Sequence, residues 1–417
     1  MKGLRAALTS LLVIVAVALC LRLVYAWDYV HHRPHQALSV IPFLFEPGNI
    51  AASVVQGKGF SSPFRVETGP TAWLTPVYPL ILAGIFRIFG LYTFPSFLAA
   101  AGLNILFSVA TCIPIYYIGR RLGGRSVAAL ATWLWAVFPN AIKLPVESIW
   151  DSSLAALLAA IILWVTLSLA GSRRATNWCA YGLLWGFALM TSPVLLSLLP
   201  FLLGWLVYRS RSWRNAALAL AMAILCCLPW TARNYTVFHR FIPLRSVLPL
   251  TLWLGNHDQS TGEWPGRLHP ITNPEERAWY IELGETAYMD AKGQEALRFI
   301  EQHPGAELRA CWFRFVAIWT GGSTHPLDDF IATDSSSFRG ILLFNVLASI
   351  GALVGIVILI RTHSPWAFPL ASIPLVFPCA YYLTLAIPRY RHPIDPVILL
   401  LAAIGMTACS RRTLGRS

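Results

Sequence analysis

Apolar runs long enough to cross a bilayer recur along most of this chain, and they decide which folds are open to it. A hydrocarbon core of about 30 Å takes roughly 20 apolar residues in a helix. Residues 8–27 form the clearest run, interrupted only by Arg22, whose long stem is expected to snorkel toward the interface. The run is long and lacks a small-residue cleavage site, so it reads as a retained first span, not a removed signal peptide. Further candidate spans are 75–91, 95–118, 126–142, 152–170, 178–208, 215–230, 340–360, 366–387 and 393–409. The 178–208 run is long enough for two short helices turning at Ser192-Pro193. Only 12% of the residues are charged, against about 25% in ordinary globular domains, too few to cover a soluble surface. The expectation is an all-α polytopic membrane protein with about ten to twelve transmembrane helices.

The charges orient those spans. The net charge of +13 would suggest nucleic acid on a soluble chain. Here it resolves into short basic connections: Lys2 and Arg5; Arg120, Arg121 and Arg125; Arg173 and Arg174; Arg209, Arg211 and Arg214; Arg361; Arg411, Arg412 and Arg416. The positive-inside rule makes these cytoplasmic. Of the 19 acids, 13 fall between Asp258 and Asp334, and Asp28, Glu46 and Glu67 follow the first span. None lies in a basic connection. Two large non-cytoplasmic loops result, at 28–74 and 231–339, dividing the chain into an N-terminal membrane module (1–230), the second loop, and C-terminal helices (340–417). Parity conflicts at one place: two candidate spans separate the first from the Arg120–Arg125 connection. Either 75–91, which contains Arg87, does not fully cross, or that connection breaks the rule. The eight cysteines fall almost all within or beside spans and read as small packing residues, not a disulfide framework. No internal repeat or low-complexity tract is found.

Both loops carry helical signals. In the first, 37–45 and 49–55 look like short interfacial helices, and Gly57, Gly59 and Ser61-Ser62-Pro63 then break the chain. In the second, 274–319 has helical spacing, with Tyr280, Leu283, Ala287, Leu297 and Ile300 on one side. Asn273 followed by Pro274-Glu275-Glu276 is a good helix start: an Asn cap, Pro at the first position and acids in the first turn.

Acids near a membrane surface are costly unless solvated or paired, so those flanking spans are the first functional candidates. Glu46 and Asp28 are two, each with a bland reading as a helix-end acid. Glu147 and Asp151 are spaced i, i+4 and can share one side of a helix start, though the helix dipole alone favours acids there. Arg389-Tyr390-Arg391-His392-Pro393 links two spans on the side the charge pattern makes exterior. A basic cluster on that side suggests a bound anion, since arginine forks match phosphate oxygens; anchoring to lipid head groups is the alternative. Arg233 and Arg245, at the start of the second loop, are candidates of the same kind. His31, His32 and His35 lack a supporting cysteine or acid pair, so no metal ligand is assigned. Trp73, Trp253, Trp264 and Trp319 lie where a ring could stack on a sugar or serve in an aromatic belt. There is no P-loop, dinucleotide fingerprint or Gly-x-Ser-x-Gly elbow.

An ordered series of motifs resembles the GT-C superfamily of membrane glycosyltransferases, of the bacterial protein O-mannosyltransferase or lipid A aminoarabinose-transferase type. The series is EPGNIAAS at Glu46, QGKGF at Gln56, GPTAW at Gly69, PVYP at Pro76, IGRRL at Ile118, PWTARN at Pro229, FIEQHP at Phe299 and RYRHP at Arg389. The resemblance implies a GT-C-like fold in a bacterial inner membrane and a polyprenyl-phosphate-linked sugar as donor. It implies transfer on the periplasmic face, an acid of the first loop as base, and basic residues on the lipid phosphate. Glu46 then takes the base position, Glu147 the second acid, and Arg389 and Arg391 the phosphate clamp. Many relatives carry an Asp at the position of Phe43, so Glu46 acts from a shifted position or Asp28 serves instead. The resemblance decides neither metal dependence nor the acceptor, which is a glycan, lipid or protein. A lipid-linked glycan ligase or polymerase would use similar parts, and a non-catalytic assembly subunit would keep the clamp without needing Glu46. A secondary transporter would instead show repeats or charges at mid-span.

Overall fold

The computed structural model describes residues 8–257, 265–322, 324–333 and 335–414. Lys2, Arg5, Asp258, Trp264, Asp334 and Arg416 lie outside them. Among the described residues the chain is helical, and its one isolated β-bridge joins Ser61 to Pro70 in the first exterior segment. Seven helices are long and apolar enough to cross a membrane by length and composition, or eight if a bent pair at 35–55 is counted as one span.

The passes follow from where the helices start and reverse. The first, α1 (Leu11–His31), begins beside the point where a later pair turns back: Tyr116 Oη donates to Thr9 O at 2.8 Å and Trp133 Nε1 to Leu8 O at 2.9 Å. At its far end His35 stacks on Phe94, ring centroids 4.1 Å apart. After the first exterior segment, which holds α2 (Glu46–Val55), comes α3 (Val77–Phe89). With 13 residues, about 20 Å long, α3 is too short to cross. It starts beside Asn104, which accepts from Tyr78 Oη at 3.1 Å, and returns to the outer end at Gly90 and Thr93. The parity conflict is thereby resolved: 75–91 does not cross.

The 44-residue run made by α4 (Phe94–Ala110) and α5 (Cys112–Val137) is two passes, not one. It reverses at Gly123-Gly124, where Gly124 has φ +77°, and a Cβ added to Gly119 would lie 2.6 Å from Ala128 Cα. Pro139 starts a fresh helix, α6 (Pro139–Glu147), which brings the chain back to the outer end. The remaining passes are α7 (Ser152–Leu169), α8 (Ala175–Thr191), a 3-10 turn at Pro193–Leu198 leading into α9 (Leu199–Ser210), and α10 (Trp213–Phe238). The second exterior segment contributes α11 (Leu248–Gly255), α12 (Pro274–Leu283), α13 (Glu285–Gln302) and α14 (Pro304–Thr320). Then α15 (Ser336–Arg361), α16 (Ala367–Val376) with the short helix Cys379–Leu383, and α17 (Asp395–Leu414) complete the bundle. Followed in order, the described residues make about ten passes, with the basic connections at one end and both large segments at the other.

Arg22 does not snorkel. It is fully buried, and its guanidinium donates to Ser108 Oγ (2.9 Å) and to the carbonyls of Ala18 (3.0 Å), Ala136 (3.1 Å) and Trp135 (3.3 Å). The break at Pro139 deprives carbonyls at the end of α5 of their usual helical partners, and the hydrogen bonds they accept from the guanidinium offset part of the cost of burying its charge.

The two exterior segments form one cap. Phe64 and Trp73 of the first share a core with Val247, Leu250, Leu254, Tyr280 and Tyr288 of the second. Glu285 locks them: its carboxylate accepts from Thr71 Oγ1, Ala72 N (2.8 Å), Ser246 Oγ (2.6 Å) and Tyr280 Oη (2.8 Å). Asn273 caps α12, accepting from the backbone of Glu275 and Glu276. The apolar face expected of 274–319 is only partly realised. Gly284, at φ +76°, separates α12 from α13, so a helical period carried across it slips. The buried face of α13 is Tyr288, Met289, Lys292 and Ala296, while Leu297 is 53% exposed. Nor does α2 lie on a membrane surface; Glu46 to Ser53 are all buried.

Candidate active site beneath the exterior cap

A cavity of about 740 Å³ lies between the cap and the outer ends of the passes. Its walls come from Phe45 to Pro47, the turn from Trp73 into α3, the link between α6 and α7, Thr191 to Val194, the approach to α11, His269, and the stretch from Tyr381 to Tyr390. Of the residues expected from sequence it gathers Glu46, Glu147, Asp151, Arg245, Arg389 and Tyr390.

Glu46 sits at the elbow where the helical segments His35–Phe43 and Glu46–Val55 meet at 93°. Asn49 fixes the elbow by donating to Leu44 O (2.8 Å) and Pro63 O (3.0 Å). Gly48 packs against the Phe43 backbone so closely that a Cβ would collide with it. Phe43 itself is fully buried, edge-on to Phe86, so the position at which the resemblance implies an acid is core here. Glu46 is 4% exposed, and Oε1 lies 3.4 Å from His269 Nε2. Because His269 Nδ1 accepts from Ile271 N (3.1 Å), Nε2 carries the proton and faces the carboxylate. Burial, reinforced by the Arg389 charge, holds the imidazole pKa down to about 3, so the ring is neutral. Burial pushes the Glu46 carboxyl up to about 7, against the opposing pull of a backbone hydrogen bond and Arg389.

The same cavity holds two arginines, Arg389 and Arg245. The Arg389 guanidinium lies over the Trp150 ring, 3.6 Å from its centroid, and acts electrostatically on both Glu46 and Asp151. Arg245 acts on Asp151. Asp151 is raised by burial, an effect that Arg389, the Ser192 hydroxyl and Arg245 partly offset. Tyr390 stacks on Tyr381, centroids 4.5 Å apart. Glu147 lies at the rim, hydrogen-bonded by Tyr25 and 3.7 Å from Lys143 Nζ.

Three expected residues are elsewhere. Arg391 is 1% exposed and points away: Nε donates to Asp395 Oδ1 at 2.7 Å, and Nη1 to the carbonyls of Trp319 (2.9 Å) and Ile318 (3.3 Å). Residues 388–391 form a helical turn, and positions i and i+2 on a helix do not share a face; Arg389 and Arg391 therefore do not converge on one phosphate. Arg233 is occupied by the carbonyls of Thr71 (2.7 Å) and Phe60 (2.8 Å), bracing the first loop. Asp28 is a solvated helix-end acid 3.3 Å from His32 Nδ1, and it does not line the cavity. Of the tryptophans, Trp73 lines the cavity, Trp253 lies under the Lys292 ammonium at 3.5 Å, and Trp319 donates to Tyr382 Oη. Among the described residues no group of three His, Cys, Asp or Glu side chains is placed to hold a metal ion. His31 stacks on Trp27, and His35 on Phe94. His269 had no signal in the sequence; a lone histidine in a Pro-rich stretch gains meaning only when the fold places it on Glu46.

The bundle, its two-segment cap and the cavity between them define a multi-pass membrane protein with the fold of the GT-C glycosyltransferases. Residues 73–232 match the family described as dolichyl-phosphate-mannose-protein mannosyltransferase. The oligosaccharyltransferase of Archaeoglobus fulgidus in its apo form superposes with a TM-score of 0.53 at 13% identity, over 97% of this chain and 51% of that one. The same archaeal enzyme, AglB, in complex with an inhibitory peptide and a dolichol-phosphate gives 0.51 at 12% identity, over 96% and 50%. ArnT from Cupriavidus metallidurans bound to undecaprenyl phosphate gives 0.42 at 15% identity, over 95% and 78%. The chain thus spans about half the length of the archaeal enzyme. Comparison with curated proteins finds no match.

Proposed function

We propose that this protein is a glycosyltransferase that moves a sugar from a polyprenyl-phosphate-linked donor to a hydroxyl acceptor on the non-cytoplasmic face of a bacterial inner membrane. The observation that carries the reading is one cavity holding a buried carboxyl tuned to about 7 together with Arg389 and Arg245. The AglB structure with bound dolichol-phosphate supports the donor class.

In this reading the donor phosphate lies against Arg389 and Arg245, and Tyr390 and Tyr381 shape its seat. The acceptor oxygen attacks the anomeric carbon as its proton passes to Glu46. The bond from that carbon to the phosphate oxygen breaks, and its electron pair leaves with polyprenyl phosphate. One displacement inverts the anomeric centre. A base with a pKa near the working pH suits this proton transfer, and fixed guanidinium charge stabilises the leaving phosphate. His269 donates to the carboxylate and holds it in place.

The test is transfer of label from a panel of radiolabelled polyprenyl-phosphate sugars by the purified protein in nanodiscs with membrane extract. Glu46→Gln is expected to lose roughly 10²–10⁴-fold in rate while donor binding survives. Arg389→Ala and Arg245→Ala are expected to weaken donor binding. If wild type discharges no donor, or Glu46→Gln transfers at the wild-type rate, the reading or its base is wrong.

A further inference from the structure

A groove of about 500 Å³ opens at the other end of the bundle, where the basic connections lie. One wall is the last two turns of α9; the other is the link from α15 into the start of α16. Trp205 of α9 meets Trp366 of the link, ring centroids 5.7 Å apart, which joins the two walls.

The lining is apolar over most of its length and cationic at one point. The apolar part is Trp205, Tyr208, Pro365, Ala367 and Phe368, of which Tyr208 is 65% exposed and Phe368 52%. Gly204 adds open space, since a Cβ placed there would meet nothing within 4 Å. Exposed Phe201, three residues before Gly204 and seven before Tyr208, continues the same face of α9 into the span. The polar part is Arg209 and Ser364. Arg209 has no partner among the described residues. Ser364 Oγ accepts from Trp366 N at 3.4 Å and donates to none of them.

Two further guanidiniums stand close by. Arg211 lies over the Tyr208 ring, 5.2 Å from its centroid, and Arg121 over the Trp366 ring at 4.6 Å. Stacking uses the face of a guanidinium and leaves its N–H edge for an anion. No carboxylate answers this charge: residues 68–146, 152–257 and 335–394, which supply both walls and the neighbouring connections, contain no Asp or Glu. A soluble anion would leave the exposed aromatic wall without a partner, and the cation of a zwitterionic head group would meet only like charge. A phosphate carrying net negative charge on an acyl chain suits both halves, and basic pockets between spanning helices seat such head groups.

We propose that this groove binds an anionic phospholipid of the leaflet at that end, with its phosphate on Arg209 and Ser364 and an acyl chain along Tyr208, Gly204 and Phe201. The lipid is held, not consumed. It ties α9 to α16, and the far ends of these two elements reach the cavity beneath the cap through Leu196 and Tyr381.

The test is native mass spectrometry of the full chain in a neutral detergent, titrated with phosphatidylglycerol or with phosphatidylcholine of the same acyl chains. Wild type is expected to retain phosphatidylglycerol in preference. Arg209→Gln is expected to weaken that retention about fivefold, and Arg209→Lys to keep most of it. Gly204→Phe fills the groove and is expected to abolish the preference with an unchanged thermal midpoint. Arg174→Gln removes a charge outside the groove and is expected to change nothing. Equal retention of the two lipids by wild type overturns the proposal. So does an equal loss in Arg174→Gln and Arg209→Gln, which would mean diffuse charge, or full retention by Gly204→Phe. Displacement of the lipid by an equal concentration of glycerol phosphate or of undecaprenyl phosphate also overturns it, by assigning the groove to a soluble phosphate or to the carrier lipid.

Discussion

Glu46 shows how one side chain sets both rate and stability. A base must be deprotonated to act, so with a carboxyl at about 7 the transfer rate should fall below that pH, about tenfold per unit. The expected profile rises through pH 7 in wild type and is flat in Glu46→Gln; a wild-type plateau extending to pH 5 would sink the assignment. Stability runs the other way. The folded pKa is raised above the unfolded 4.5, so between those values the folded state holds a proton that the unfolded state has lost. The contribution is fully present below about 4.5 and is lost as pH rises through 7, amounting to about 3 kcal/mol. Glu46→Gln escapes that loss, so its thermal midpoint in detergent should exceed wild type at pH 8 and converge with it near pH 5. Glu46 was legible as a candidate because an acid beside an apolar elbow is costly. The clamp was only half legible: the sequence offers Arg389 and Arg391 as equals, and only the short helical turn sends one into the cavity and the other onto Asp395.

At the level of elements, two helix pairs carry a small-residue code. Gly182 and Gly186 of α8 face Ala219 and Ala223 of α10, and Gly351 and Gly355 of α15 face Leu401 and Ala402 of α17. Both are glycines four apart, a spacing that lets helix backbones approach in a membrane. A Cβ on Gly355 would lie 2.8 Å from the Leu401 carbonyl carbon, so Gly355→Ala should cost about 1–3 kcal/mol. Gly102, mid-helix in α4, has nothing within 4 Å of an added Cβ, and Gly102→Ala should be neutral or stabilising by up to about 1 kcal/mol. Thermal midpoints of the two variants side by side check the packing, and equal shifts would count against it. These spacings are visible in the sequence, but they mark contact faces without naming the partner helix. The break at Gly284 was harder to anticipate, because a lone glycine is tolerated within helices and only its left-handed φ shows that the face must restart.

Across the whole molecule, the charge pattern and the bundle give the same orientation once α3 is read as a helix that does not cross. Every basic connection in the described residues, from Arg120 to Arg361, falls at the end where α1 begins, and the cavity falls at the other. By the positive-inside rule the cavity is expected on the non-cytoplasmic side. Hydropathy alone could not reach this, since 75–91 is as apolar as a true span and only its 13-residue helix, ending where α4 starts, withdraws it. Single cysteines in a background without the native eight test the arrangement. Lys58→Cys and Asp290→Cys should react with a membrane-impermeant maleimide on intact cells. Gly171→Cys and His363→Cys, at the ends of α7 and α15, should react only after permeabilisation. The reverse pattern would put Glu46 and Arg389 on the cytoplasmic side, where a soluble nucleotide sugar is as available as a lipid-linked one, and would remove the main reason for a polyprenyl donor. A mixed pattern, with Gly171→Cys and His363→Cys on different sides, would contradict the even number of passes between them and with it the bundle that frames the site.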